Sequence, residues 1–221
     1  MGGKVLTGVA AARQVEAVAG IDVGGTTKGF HLVVLQGAAV RCVASSPDAR
    51  ELHQRCLQFK VSVVGIDAPS QWGVEGIGRA AEREMARERI SCFATPTLAR
   101  ASASTSGFYE WMFNGARVYE AFADTHPILK AERFTGEPVT FETFPHAIAC
   151  ALLGRDVASA KQKRTQRRRL LEELGLDTTE LKSIDSLDAV LCAVAAQRLI
   201  QGKSRAYGDG VGGYIFVPTP V

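Results

Sequence analysis

Residues 19–35, AGIDVGGTTKGFHLVVL, contain an aspartate between two apolar runs. The first run ends at Asp22, a Gly-Gly-Thr-Thr turn follows, and a second, mostly apolar run begins at Gly29. Short apolar runs of this kind are typical of buried β-strands. The stretch therefore predicts two strands joined by a tight turn. Two chemistries use this local shape, because the aspartate can bind a metal ion or the glycine-threonine turn can bind the phosphates of ATP.

The length and composition predict one domain of a soluble globular protein. The chain has 221 residues, of which 46% are hydrophobic and 22% are charged. No apolar run approaches the roughly 18 residues of a membrane span, and Arg13 and Glu16 make the N-terminus a poor signal peptide. We expect a cytoplasmic protein with a flexible N-terminal extension at 1–14 and a single domain at 15–221.

The cysteines favour a protein of a reducing compartment, and the net charge excludes no class of partner. The five cysteines form no Cys-x-x-Cys pair, and several lie in apolar runs. This pattern fits buried thiols and disfavours structural zinc. The net charge of +3 is mild and does not by itself require a polyanionic partner.

The order of predicted elements indicates an α/β domain with a mixed sheet. Strands are predicted at 15–23, 29–37, 38–46, 61–69, 139–145 and 212–220, and helices at 47–59, 76–90, 146–154, 158–175 and 183–202. We expect the first three strands to form an antiparallel meander and the later strands to be parallel. The region between 91 and 138 is interpreted as rich in loops.

Five carboxylates lie at the ends of the predicted apolar elements. Asp22 ends the first strand, Asp67 ends the fourth, and Glu142 lies within or at the end of the fifth. Asp185 and Asp188 begin the last helix, where their i, i+3 spacing places them on one face. Ligand sites of open α/β sheets form beyond the carboxyl ends of the strands. We therefore expect these acids to meet in one site.

A cluster of acids is costly unless a cation neutralises it. Hard oxygen ligands suit Mg²⁺ or Mn²⁺. Two such ions about 4 Å apart can activate a water and stabilise the leaving oxygen of a phosphodiester. The pattern therefore favours a metal-dependent hydrolase.

Six segments in this order resemble a known family. They are GIDVGG, GIDAPSQW, RAAEREMAR, FETFPHAIACALLG, KQKRTQRRRLLEELG and DSLDAVLCAVAA. The two strand-ending aspartates and the helix motif resemble the ribonuclease H-like superfamily. The whole run, over about residues 17–221, resembles the domain-of-unknown-function family 429, which is described as predicted nucleases with a ribonuclease H fold. The resemblance implies a ribonuclease H-like mixed sheet flanked by helices.

The same resemblance implies roles for the acids. Asp22, Asp67 and Asp188 would be the core metal ligands, with Asp185 or Glu142 assisting. Each acid alone also fits a structural role, since an aspartate after a strand is often a turn residue. Asp185 fits a helix N-cap, and Glu142 fits the exposed face of a strand. Asp188 is harder to explain in this way, because it begins a very apolar helix.

The basic residues predict phosphate contacts. The run KQKRTQRRR at 161–169 holds six Lys or Arg in nine positions, and Lys161 and Lys163 are candidate ligands of a DNA or RNA backbone. Arg79 and Arg83 lie one helical turn apart and are two further candidates. The alternatives are a solvated helix face for the run and ion pairs with Glu82 and its neighbours for the two arginines.

Two other side chains are candidates for the border of the cleft. Trp72 follows the Asp67 strand and could stack a nucleobase or pack the loop. His146 lies four residues after Glu142, and helix entry is its alternative role.

Two rival functions remain open in the sequence. IDVGGTTKG is similar to the first phosphate loop of sugar-kinase and actin-like ATPases, but those enzymes close two domains on a cleft. The one later candidate for a second loop is YGDGVGGY at 207–214. The other rival is an inactive ribonuclease H-like module that binds nucleic acid or protein. Clustered acids argue against that module, because repelling carboxylates gain nothing without a metal. The sequence does not indicate an oligomeric state.

Overall fold

The computed structural model describes residues 15–25 and 27–220, and the strands within them form one seven-stranded sheet. The strands are β1 (Ala17–Val23), β2 (Phe30–Gln36), β3 (Ala39–Ser46), β4 (Val61–Asp67), β5 (Val139–Glu142), β6 (Ser204–Asp209) and β7 (Gly213–Pro218). Their order across the sheet is β3-β2-β1-β4-β5-β7-β6. The predicted extension at 1–14 and Thr26 of the opening turn lie outside the described residues.

Helices cover both faces of the sheet. They are α1 (Ala49–Gln58), α2 (Ala80–Arg87), α3 (Leu98–Ser102), α4 (Glu110–Phe122), α5 (Pro145–Leu153), α6 (Lys163–Glu173) and α7 (Ile184–Ile200). α5, α6 and α7 share one apolar core with the sheet, and α1 and α4 share another on the opposite face. Across residues 15–25 and 27–220, none of the helices combines the length and apolar character needed to cross a membrane.

The strand directions confirm the predicted mixed sheet, with its antiparallel meander and its parallel later strands. β1, β2 and β3 form an antiparallel meander. β4 is parallel to β1, β5 is parallel to β4, and β7 is parallel to β5. This arrangement brings the carboxyl ends of β1 and β4 to the same edge of the sheet, where Asp22 and Asp67 lie.

Helix α7 lies unusually close to the middle of the sheet. A Cβ atom on Gly20 of β1 would come within 2.0 Å of the Ala189 carbonyl oxygen. A Cβ atom on Gly65 of β4 would come within 2.6 Å of the Cys192 carbonyl oxygen. Glycine is therefore required at both positions. Each glycine stands two residues before the aspartate of a Gly-Ile-Asp motif, so the motif seats α7 as well as supplying an acid.

Four parts of the predicted structure were wrong or incomplete. α4 occupies part of the region interpreted as loops, and β6 was not predicted. The helix expected from residue 76 begins only at Ala80, because Gly76 and Gly78 adopt left-handed backbone conformations with φ of 73° and 64°. The helix predicted from 158 begins as a 3-10 turn at Ala160–Gln162 before α6.

Candidate active site

Two aspartates stand side by side at the carboxyl edge of the sheet. In the parallel pairing of β1 with β4, Asp22 is the register partner of Asp67. Neighbouring strands lie about 4.8 Å apart, and paired residues point to the same face. Gly20 and Gly65, two residues earlier, contact α7, so both carboxylates leave the sheet on the α7 side.

Helix α7 brings two more acids to this edge. The hydroxyl of Ser183 accepts a hydrogen bond from the Ser186 N–H, in a capping box that fixes the start of the helix. The N-cap is therefore Ser183, and the alternative role of Asp185 as the cap was wrong. Asp188 is buried on the same helix. We call Asp22, Asp67, Asp185 and Asp188 the acid cluster.

Three acids of the cluster, Asp22, Asp67 and Asp188, have raised pKa values and so hold protons more tightly than isolated carboxyls. Burial and the charges of Asp188 and Asp185 raise the pKa of Asp22 to about 7. Burial, followed by the charges of Asp22 and Asp188, raises the pKa of Asp67 well above its ordinary value. Burial also raises the pKa of Asp188. These shifts show that the negative charges act on one another in a poorly solvated place.

Two basic side chains partly neutralise the acid cluster. The guanidinium of Arg167 in α6 is buried and pairs with Asp188. The Lys28 Nζ, in the turn after β1, lies 3.0 Å from Asp185 Oδ1. Neither residue was singled out from the sequence, although Arg167 belongs to the KQKRTQRRR run. Helical periodicity would have found it, since Leu170 and Leu171 are buried on the same helix.

The acid cluster has the donor chemistry for a divalent cation. Among residues 15–25 and 27–220, no three His, Cys, Asp or Glu side chains are arranged to hold a metal ion together. Arg167 and Lys28 instead pair with two of the carboxylates, those of Asp188 and Asp185. The raised pKa values of Asp22 and Asp67 show that these two cations leave part of the repulsion uncompensated. The chemistry of the acids therefore fits Mg²⁺ or Mn²⁺.

Glu142 leaves the sheet on the opposite face from Asp22 and Asp67. It pairs in register with Ile66, one residue before Asp67, and successive residues of a strand alternate between faces. Its Oε2 accepts hydrogen bonds from the Ser70 N–H at 2.7 Å and from the Ser70 hydroxyl at 2.9 Å. Its two oxygens lie 2.8 and 2.6 Å from the two terminal nitrogens of Arg79. A catalytic role for Glu142 stays a prediction, and this geometry favours a structural role.

Arg79 and Arg83 lie apart from the acid cluster. Arg79 is only 1% exposed and, besides Glu142, donates to the Gly212 carbonyl oxygen at 2.7 Å. The exposed Arg83 donates to the Ile77 carbonyl oxygen, one loop away from the site. Their role as phosphate ligands stays a prediction, and it requires Arg79 to leave a fully buried position.

The two predicted lysines lie at the start of α6. Lys161 and Lys163 are both exposed. The charge of Lys163 lowers the pKa of Asp188 and partly opposes the effect of burial. Lys163 therefore acts electrostatically on the acid cluster, with Lys161 two residues before it.

Helix α4 holds the ends of both aspartate strands. The Asn114 side chain donates to the Gly24 carbonyl oxygen at 3.0 Å, in the turn after Asp22. The Tyr119 hydroxyl donates to the Ala68 carbonyl oxygen at 3.0 Å, directly after Asp67. A Cβ on Gly115 would come within 2.4 Å of the Ala68 Cβ, so glycine lets the helix approach. Sequence reasoning missed this support, because its three contacts join distant segments.

The remaining candidates lie around this centre. The Trp72 ring packs against Phe113, with the ring centroids 5.0 Å apart and the planes tilted by 50°, so Trp72 packs the loop after β4. His146 lies near the start of α5, where burial and then the charge of Arg167 lower its pKa. The glycine-rich stretch at 207–214 forms the β6–β7 hairpin. There the Asp209 carboxylate accepts the Val211 and Gly212 N–H groups, which uses these donors within the turn.

The chain is similar to one described family over most of its length. The family model described as "Protein of unknown function (DUF429)" matches residues 20–211. A search of curated proteins finds no match. Among solved structures, "Thermus thermophilus RuvC structure" is similar at 18% sequence identity and a TM-score of 0.40, covering 87% of this chain and 99% of that chain.

Proposed function

This chain belongs to the DUF429 family, and from its site we propose that it is a metal-dependent nuclease that hydrolyses phosphodiester bonds through the acid cluster. The observation that carries the proposal is the register pairing of Asp22 with Asp67 beneath Asp188 of α7. Buried, adjacent carboxylates with raised pKa values cost stability, and a divalent cation removes that cost. A nucleic acid is the partner that this chemistry and the lysines of α6 favour.

Asp22, Asp67 and Asp188 would hold one or two Mg²⁺ or Mn²⁺ ions, and Asp185 would complete the shell or orient a water. Bound there, the ion would supply activation of the attacking water and stabilisation of the leaving oxygen. In the proposed hydrolysis the water oxygen would bond to phosphorus as the P–O bond to the leaving oxygen breaks. The leaving oxygen would take up the proton that the water loses and depart as an alcohol. Asn114 and Tyr119 would hold the ends of the protein strands β1 and β4, and so the two aspartates, in place during this step.

Arg167 and Lys28 would change partners when the cation binds. Their positive charges now offset the acid cluster, and a divalent ion takes over that function. Both side chains are then available to the phosphate, as are Lys161 and Lys163. Charge-assisted contacts of this kind hold a nucleic-acid backbone in register without reading its sequence.

The test is calorimetric titration of Mn²⁺ into the wild-type protein and the Asp67→Asn variant, each with and without ATP. We expect binding without ATP in the wild type, loss of binding in Asp67→Asn, and wild-type binding in the control Asp177→Asn. Asp177 is an exposed aspartate beyond the end of α6. Binding that requires ATP would instead support the kinase-like alternative. No binding under either condition would support an inactive module.

A further inference from the structure

Two exposed phenylalanines and one half-buried tryptophan lie together beside Asp67 of the acid cluster. We call Phe93, Phe108 and Trp111 the aromatic platform. Phe93 is 44% exposed and Phe108 is 55% exposed, which is unusual for large apolar side chains. The ring centroid of Phe93 lies 5.2 Å from that of Phe108 and 6.3 Å from that of Trp111. The three rings therefore form one continuous surface.

The platform borders the same cleft as Asp67. Phe93, Trp111 and Phe144 line this cleft together with Asp67. The cleft measures about 60 Å³, which is room for about two waters. A nucleobase cannot enter so small a space, so a ligand would lie on the ring faces at the rim. Phe108 continues the platform outward from this rim.

We propose that the aromatic platform stacks an unpaired nucleobase of the substrate strand, so that the enzyme acts on single-stranded or locally unpaired nucleic acid. The inference rests on the proposed function, because it places the scissile phosphate at Asp67. A base in a continuous duplex already stacks on both of its neighbours, whereas an unpaired base offers a free face to an aromatic ring.

The charges around the acid cluster agree with this arrangement. Phe93 and Trp111 lie on the α4 side of Asp67, whereas Lys28 and Lys163 act on Asp185 and Asp188 on the α7 side. Lys28 is 59% exposed and can reach a backbone phosphate. A strand that crosses the acid cluster would meet cations at one side and aromatic faces at the other. That arrangement matches a single strand, whose backbone carries the phosphates and whose bases project to one side of the backbone.

The test measures binding of labelled single-stranded and duplex oligonucleotides, as DNA and as RNA, by fluorescence anisotropy in EDTA. Chelation stops metal-dependent cleavage, so binding is measured separately from activity. We expect tighter binding of single strands than of duplexes. Phe93→Leu and Phe108→Leu should each weaken single-strand binding about tenfold, and Phe108→Trp should retain it because tryptophan keeps an aromatic face.

The matched control is Leu57→Ala. Leu57 is 41% exposed and precedes the start of β4, at the opposite end of the strand from Asp67. This variant should bind as the wild type does. Equal affinity for single strands and duplexes would overturn the inference, as would unchanged binding by Phe108→Leu. Mn²⁺-dependent cleavage is assayed separately, so failure of the platform with cleavage intact would leave the proposed function standing.

Discussion

Asp22 combines two properties that a folded protein rarely keeps without a use for them. It is buried, and its neighbours Asp185 and Asp188 carry the same charge. The pKa of Asp22 rises from 3.8 to about 7 on folding. Each unit of such a shift corresponds to about 1.4 kcal/mol. The metal-free site therefore costs stability at neutral pH, as expected of a site that is built for a ligand.

Asp22→Asn should stabilise the metal-free protein at alkaline pH. A raised pKa in the folded state stabilises the fold fully below about pH 4, and that contribution is lost as pH rises through about 7. Asparagine cannot ionise and does not suffer this loss. We expect a gain on the order of 2 kcal/mol at pH 8 and no gain below pH 4, measured by thermal unfolding in EDTA.

The control with the opposite sign is Asp209→Asn. Hydrogen bonds from Gly212 and Val211 lower the pKa of Asp209, so its charged form stabilises the hairpin at neutral pH. This variant should be less stable than the wild type at pH 8. A fall in stability at pH 8 for Asp22→Asn as well would contradict the argument from repulsion.

Arg167 acts as an internal counterion of the acid cluster. Removing one partner of a buried ion pair leaves the other charge uncompensated, at a cost of about 3–5 kcal/mol. Arg167→Gln should therefore lower the melting temperature in EDTA. Mn²⁺ should then raise the melting temperature of Arg167→Gln more than that of the wild type, because the acids have lost their competing cation.

The matched control for this prediction is Arg168→Gln on the same helix. Arg168 donates to the Thr178 and Leu181 carbonyl oxygens, away from the acid cluster. Its substitution should lower stability without changing the response to Mn²⁺. Equal Mn²⁺ responses in all three proteins would show that Arg167 does not compete for the site.

At the scale of elements, α4 connects the two aspartate strands. Tyr119→Phe removes the hydroxyl that holds the Ala68 carbonyl and leaves that buried acceptor unpaired, at about 1–3 kcal/mol. We expect Tyr119→Phe to lower both the free energy of unfolding and the affinity for Mn²⁺, since Asp67 precedes Ala68. Urea denaturation and calorimetric titration measure the two effects.

Tyr207→Phe provides the comparison for Tyr119→Phe. The Tyr207 hydroxyl lies 3.1 Å from Glu88 in the contact between α2 and β6. Its removal should alter stability and leave Mn²⁺ affinity unchanged. Equal losses of Mn²⁺ affinity in the two variants would contradict a specific role of α4 in positioning Asp67.

The Arg79–Glu142 pair connects the loop after β4 with β5 and the β6–β7 hairpin. Glu142→Gln and Arg79→Met should each destabilise the protein by about 3 kcal/mol, because each leaves a buried partner uncompensated. The double variant should lose less free energy of unfolding than the sum of the two single losses. Each single substitution leaves one buried charge uncompensated, and the double variant has no such charge. Urea denaturation of the three variants measures this coupling.

Cleavage by folded Glu142→Gln separates its structural and catalytic roles. If Glu142 has only a structural role, folded Glu142→Gln should cleave at a rate within about tenfold of the wild type. A loss as large as that caused by Asp22→Asn would place Glu142 among the metal ligands.

At the scale of the whole molecule, the sequence predicted those features that depend on local pattern. The runs before Asp22 and Asp67 indicated strands, and the spacing of Asp185 and Asp188 indicated a shared helix face. Together these features predicted the sheet and a site of five acids at its edge, and the structure places Glu142 on the opposite face of the sheet from Asp22 and Asp67. The face of Glu142 could not be predicted in this way. Side chains alternate along β5, but assigning Glu142 to a face of the sheet also requires the register of β5 against β4, which the sequence of one strand does not reveal.

Other features could not be predicted because they depend on contacts between distant segments. α4 contains Asn114 and Gly115, which weaken its helical pattern, yet both residues serve the contacts of this helix with Gly24 and Ala68. Arg167 lies in a basic run that resembles a solvated surface. Its guanidinium nevertheless pairs with Asp188, which is 21 positions away and on another helix.

The most direct test of the central claim is cleavage of labelled DNA and RNA oligonucleotides in Mn²⁺ by the wild type, Asp22→Asn and Asp177→Asn. We expect cleavage by the wild type and by Asp177→Asn, no cleavage in EDTA, and at least about a hundredfold loss in Asp22→Asn. Cleavage by Asp22→Asn at the wild-type rate would contradict the proposed function, because the acid cluster would then have no part in the reaction.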